Sequence, residues 1–251
     1  MSRLSTSSFC ISYMCLAVLF CMGCGKPGQQ PHVPVAGYNA RLAFSDGFEL
    51  GLTNWTAEGK GTMATGMDST LTVSPAEDTV GVVIWSRPDL PENFQIEYEA
   101  FIPDTPGTHF VYFCAGRADR KTIGQGDALS PAAFNDYLKN QLNSYVIACH
   151  CYDRNGHPVS GSRLRKTPGN LLLAGNPTDP CRENRRYLID VVKTGSRIQF
   201  FVDGTVVHDV RDRGGFGPVY EKGKMGLAVQ GRGDAFRCIF KSVRVFGLEP
   251  Q

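Results

Sequence analysis

Glu97 and Glu99 stand two residues apart in Phe94-Gln95-Ile96-Glu97-Tyr98-Glu99-Ala100-Phe101, a stretch that alternates apolar and polar. On a strand this period puts both carboxylates on one face, roughly 6–7 Å apart. Two carboxylates on one face can serve as acid and as nucleophile or base in glycoside hydrolysis, and this separation falls between the retaining and inverting geometries. Alternating glutamates describe a solvated sheet face equally well.

Other residues offer a different chemistry. His150 and Tyr152 share one face of an apolar segment, and Tyr with His or Arg can serve a polysaccharide lyase. There one group neutralises a uronate carboxylate while another removes the α-proton. Sugar binding needs less: an aromatic ring for the apolar face of a pyranose and planar polar groups for its hydroxyls. Trp85 and Arg87 stand at i, i+2, as do Asn143 and Tyr145, with Tyr112, Tyr152 and Gln230 as further candidates. Arg165 and Lys166 add cations for a carboxylate or sulfate. The expected ligand face is therefore Trp85, Arg87, Asn143, Tyr145, His150 and Arg165, joined by Lys166 and Gln230. Glu97, Glu99, Tyr145 and His150 are the catalytic candidates. Strict alternation from Tyr145 sends His150 to the opposite face unless a bulge intervenes. No His/Asp/Glu grouping has catalytic metal spacing and no cofactor is expected, although Asp46 could join a structural Ca²⁺ site.

The elements that must position these residues are strands. Gly 28 and Pro 15, with few helix-period patterns, favour short strands joined by tight turns. Ser144 to Tyr152 is apolar on both faces, as a central strand of a two-layer sandwich should be. Thr194-Gly195-Ser196 and Asp203-Gly204 mark hairpin turns. Pro131 to Gln141 is the one helix-like stretch. The expectation is an all-β, two-sheet antiparallel β-sandwich in a single domain, residues 40–248.

Lys+Arg 26 against Asp+Glu 24 is close to balance, which removes the electrostatic case for a nucleic-acid partner. Residues 1–23 pair Arg3 with an apolar run that is short for a membrane span, the pattern of a secretory signal. Cys24 follows a small residue and precedes a Gly/Pro/Gln tether over 24–39. That arrangement resembles a bacterial lipoprotein cleavage site, with Cys21 departing from the usual aliphatic residue. The expectation is export, with a lipid on Cys24 anchoring the chain to a membrane at the periplasm or cell surface. Of nine cysteines, Cys114, Cys149, Cys151, Cys181 and Cys238 lie in the body, an odd number that leaves at least one thiol outside any disulfide. Small buried thiols are the plain reading of them.

Several segments together resemble the YesU-like family of bacterial domains of unknown function. They are Phe44-Ser45-Asp46-Gly47-Phe48-Glu49 with Trp55, Ile84-Trp85-Ser86-Arg87 with Pro91-Glu92-Asn93-Phe94, Asn143-Ser144-Tyr145, Leu164-Arg165-Lys166-Thr167-Pro168-Gly169, Asp179-Pro180, Phe200-Phe201-Val202-Asp203-Gly204 and Gly223-Lys224-Met225-Gly226-Leu227. The resemblance spans essentially the whole body. It implies a concanavalin A-like jelly roll with a concave sheet, and a place beside polysaccharide breakdown systems, pectin-type ones included. It implies no catalytic residues, and the Glu-x-Asp-x-x-Glu signature of laminarinase-like sandwich hydrolases is absent. Two functions remain: a glycoside hydrolase or polysaccharide lyase acting on plant or algal polysaccharide fragments, or a noncatalytic surface glycan-binding lipoprotein. Fold alone does not choose between them.

Overall fold

The computed structural model describes residues 30–76, 81–103, 106–119, 121–124, 131–153, 155–159, 161–231 and 236–251. The expected signal segment, residues 1–23, and Cys24 lie outside the described residues. In chain order the strands begin with β1 (Tyr38–Asp46), β2 (Trp55–Gly59), β3 (Gly61–Gly66), β4 (Thr70–Pro75), β5 (Val82–Ser86), β6 (Phe94–Ile102) and β7 (Gly107–Arg117). Helix α1 (Pro131–Asp136) runs into a π-helical turn, Tyr137–Gln141. Then come β8 (Leu142–Tyr152), β9 (Arg163–Thr167), β10 (Leu171–Gly175), β11 (Arg185–Thr194) and β12 (Arg197–Val202). The chain closes with β13 (Thr205–Arg211), β14 (Lys224–Gln230) and β15 (Cys238–Pro250).

Two antiparallel sheets result. One runs β13-β12-β11-β6-β15-β4-β3, with β1 also paired to β15; the other runs β10-β9-β8-β7-β14-β5-β2. Their inner faces make one core, to which β6 gives Phe94, Ile96, Tyr98, Ala100 and Ile102, while β8 gives Tyr145, Ile147 and Cys149. The hairpins form where turn residues stand. Asp203 and Gly204 both take positive φ (50° and 73°), the two-residue geometry that matches strand twist. The helical stretch lies over the outer face of the second sheet, packing Phe134, Tyr137 and Leu138 on Val83, Trp85, Tyr112 and Ala115. The five body cysteines are buried free thiols. Burial pushes the Cys114 thiol up to about 12.

The segment before β1 does not behave as a tether throughout. Val33 and Val35 pack against Val192, Phe201 and Leu248 on the outer face of the first sheet. The alternation of apolar residues in Pro31-His32-Val33-Pro34-Val35 fits it to that surface. Beneath it lies a charged row, with Asp190 of β11 opposite Glu97 of β6 and Glu97 opposite Arg244 of β15. Arg244 donates to Glu97 Oε2 at 2.5 Å and the His32 amide donates to Glu97 Oε1. Gln95 Nε2 donates to Asp190 Oδ1 at 2.9 Å, and the His32 ring stands 3.7 Å from Asp190 Oδ2. Burial, reinforced by the charge of Glu97, pushes the Asp190 carboxyl up to about 6.

A carboxyl raised in this way binds its proton more tightly folded than unfolded. The stability it contributes is present at low pH and fades as pH rises from 3.8 toward about 6. Buried His109 and His208, each held down near about 4 by burial, act the opposite way as pH falls from 6.5. Asp190→Asn keeps the acceptor for Gln95 and removes the buried charge. Thermal melts should show this variant above the parent at about pH 7.5, with the gap closing near pH 5. A variant that melts lower at both values would mean that the Asp190 charge is needed by the fold.

Candidate functional site

An open cleft of about 260 Å³ lies on the outer face of the second sheet, just below the roughly 300–1,000 Å³ usual for enclosed ligand pockets. Its floor comes from alternate residues of three neighbouring strands: Thr108, Phe110 and Tyr112 of β7, Val146 and Ala148 of β8, and Ala228 and Gln230 of β14. One wall is the helical stretch, through Phe134, Asn135, Leu138 and Lys139. The other is β9, through Arg163, Arg165 and Thr167, with Asn170 in the turn that follows. The Lys139 carbonyl accepts from the Gly169 amide at 2.9 Å, which ties the two walls together.

Strand β9 decides which of its cations reach the cleft. Arg163 is exposed and Arg165 half-buried on the outer face, whereas Leu164 and Lys166 point inward. Arg165 Nη1 donates to the Asn170 carbonyl at 2.7 Å, which fixes the guanidinium against the wall. Lys166 is fully buried. Its ammonium donates to Asp212 Oδ2 (2.6 Å), Gly217 O (2.9 Å) and Pro218 O (2.7 Å), which uses all of its hydrogens. The Tyr145 hydroxyl donates to the same Asp212 oxygen at 2.7 Å and accepts from the Tyr220 amide at 3.1 Å. Burial opposes ionisation of Asp212, yet the hydrogen bonds from Lys166 and Tyr145 outweigh it and hold the carboxyl below its usual range.

The expected ligand face is therefore divided. Arg165 and Gln230 line the cleft, as does Tyr112. Tyr145 does not, because it faces the core and stacks on Phe113 with centroids 5.4 Å apart. Lys166 is a buried structural cation rather than a ligand contact. Trp85 is on the cleft-side face but covered by the helical stretch. Its indole donates to Glu58 Oε2 at 2.8 Å, and a Cβ at Gly226 would stand 2.4 Å from its ring. Arg87 lies beyond the end of β5, exposed, with Nε donating to the Thr53 carbonyl at 2.9 Å. Asn143, opposite Gly116 at the start of β8, is outside the cleft lining.

The bulge that His150 required is present, but it brings a different residue round. His109 pairs with Cys149 and Thr108 with Cys151, so His150 is the extra residue, at φ 57°. Cys151 takes the cleft position beside Thr108, and the His150 ring stacks on Tyr152 (4.4 Å) and Phe236 (5.5 Å). Glu97 and Glu99 share a face as expected, but that face belongs to the other sheet. Glu97 is buried beneath the N-terminal segment, and Glu99 pairs with Arg186 at 3.1 Å. Asp46 accepts from the Phe48 amide, Asn54 and the Trp55 indole, so its carboxylate shapes the turn between β1 and β2. Phe110, Arg163, Lys139, Asn135 and Asn170 are cleft residues that the expected face lacked. Only Arg163 carried a signal, its i, i+2 relation to Arg165.

Two antiparallel sheets in this order, with one outer face left as an open cleft, define a galectin-like or concanavalin A-like jelly roll. The chain belongs to the family described as "Domain of unknown function (DUF1961)", whose model matches residues 43–232. Among solved structures it is similar to a protein of unknown function with galectin-like fold from Bacillus subtilis. That match has a TM-score of 0.72 at 18% identity and covers 85% of this chain and 100% of that one. It is also similar to the carbohydrate-binding module CBM66 from Bacillus subtilis (TM-score 0.51, 19% identity, 77% and 95% covered). A third is the κ-carrageenase of Pseudoalteromonas carrageenovora in complex with an oligotetrasaccharide of κ-carrageenan (TM-score 0.55, 16% identity, 88% and 99% covered). No curated protein matches the chain.

Removing Asp212 should strand a buried ammonium. Asp212→Ala is expected to cost about 3–5 kcal/mol in denaturant unfolding, and Lys166→Met with Asp212→Asn should recover much of that loss. A loss below about 1 kcal/mol in Asp212→Ala would show that the pair is solvated in solution.

Proposed function

We propose that this protein is a noncatalytic glycan-binding protein that holds a saccharide in the cleft between the helical stretch and β9. The observation that carries this is the make-up of the lining. It has a half-buried aromatic ring, Phe110, with side-chain amides from Asn135, Asn170 and Gln230 and the hydroxyl of Thr108, and among the described residues that line it there is no Asp, Glu or His. Ring and amides are what pyranose faces and hydroxyls require. A hydrolase would need two carboxylates flanking the scissile bond, and Glu97 and Glu99 stand on the opposite sheet. A lyase would need a base, and burial pushes the Tyr112 phenol up, away from ready ionisation. Carbohydrate appears in the descriptions of two of the similar structures, CBM66 and the κ-carrageenase complex, which supports a saccharide as the partner.

The test is a panel of neutral and uronate-containing polysaccharides, scored for retention of the protein and for new reducing ends or unsaturated products. Retention without product is expected. Phe110→Ala should weaken binding by about 1 kcal/mol, roughly fivefold in Kd, with little change in melting temperature. Product release from any member of the panel would replace this reading with the enzymatic one.

We further propose that the protein works outside the cytoplasm, anchored by lipid on Cys24. Cys24→Ser should then move it from the membrane to the soluble fraction. Retention of that variant in the membrane at its unprocessed size would rule the anchor out.

A further inference from the structure

We propose that the cleft selects acidic saccharides, reading a carboxylate or sulfate ester with Arg163, Arg165 and Lys139 while Phe110 carries the sugar ring. This deepens the glycan-binding reading and rests on it. The chain as a whole is nearly neutral, Lys+Arg 26 against Asp+Glu 24, yet the charged residues described in the lining are all cations. Some surface arginines meet carboxylates, Arg117 with Asp119, Arg185 with Asp203, Arg186 with Glu99 and Arg197 with Asp209, while others such as Arg87 and Arg182 donate to neutral oxygens. Arg163 and Arg165 have no such partner among the described residues.

These two arginines stand at i, i+2 on one face of β9, their Cα atoms roughly 6.6 Å apart along the strand. Burial and the like charge of Arg163 both lower the affinity of Arg165 for its proton. An anion placed between them would relieve that repulsion. Arg165 spends one donor on the Asn170 carbonyl, which orients its fork and leaves the remaining N–H groups for a ligand. A planar guanidinium held in this way suits bidentate contact with a carboxylate or a sulfate edge, and a lysine would not replace it. Lys139 is exposed on the opposite wall. The hydrogen bond from Gly169 to its carbonyl ties that wall to the turn after β9. The anionic group therefore meets charge from both sides. Asn135, Asn170 and Gln230 are left for the neutral hydroxyls.

Calorimetric titration of the full chain with matched pairs of oligosaccharides tests this: an oligogalacturonate and its methyl ester, and a sulfated galactan oligomer and its desulfated form. At least one acidic member should bind tenfold or more tighter than its neutral counterpart, with the preference shrinking as salt rises. Which pair shows the effect distinguishes carboxylate from sulfate. R163Q and R165Q should each weaken the acidic member several-fold more than the neutral one, whereas F110A should weaken both alike. Equal binding of acidic and neutral members would overturn the selectivity and leave the glycan-binding reading standing. Binding of neither would overturn both. Equal loss for both members in R163Q and R165Q would reduce the arginines to scaffold. Displacement of the acidic sugar by equimolar inorganic sulfate would show a simple anion site and likewise overturn the proposal.

Discussion

The buried pair of Lys166 and Asp212 sets the geometry on which the cleft wall depends. Burying a lysine ammonium is costly unless its hydrogens find acceptors, and Asp212 with the carbonyls of Gly217 and Pro218 supplies three for Lys166. Meeting that demand fixes the side of β9 that faces inward. Side chains on a strand alternate, so the same bond that seats Lys166 in the interior turns Arg163 and Arg165 to the outer face. A slip of one residue would bury two guanidiniums and expose Leu164. Tyr145 and Tyr220 complete the arrangement, the first sharing Asp212 and the second donating to the Thr167 carbonyl at 2.8 Å.

The two outer faces of the sandwich handle charge in opposite ways. On the first sheet, carboxylates sit under a covering segment, with Glu97 answered by Arg244 and the His32 amide, and Asp190 by Gln95 and the more distant His32 ring. On the second sheet, cations stand in the open without carboxylates beside them among the described lining residues. Buried charges need internal partners, whereas charges lining a cleft can be completed by whatever enters it.

The architecture was readable in the sequence because local signals decide it. Alternation in Phe94 to Ala100, the doubly apolar run at Ser144 to Tyr152, and Asp203-Gly204 each specify an element by themselves, and the family resemblance pointed to the same jelly roll. The cleft was readable only in part. Arg165, Tyr112 and Gln230 carry polar or aromatic groups at positions that face outward. Nothing local in Leu164-Arg165-Lys166-Thr167 announces a strand, since its inward position is a lysine satisfied by an aspartate 46 residues away. Trp85 fails for a related reason, because its outward face is roofed by Phe134, Tyr137 and Leu138 from a distant segment. The glutamates show the limit of alternation. It states correctly that Glu97 and Glu99 share a face, but not which sheet that face belongs to.

The N-terminal segment crosses the outer face of the first sheet, and the cleft opens on the outer face of the second. His32, Val33 and Val35 therefore stand on the opposite side of the sandwich from the cleft. A load applied to this segment would act through His32, Val33 and Val35 on the strands behind the core. The cleft faces away from that load, with the full thickness of the sandwich between the two.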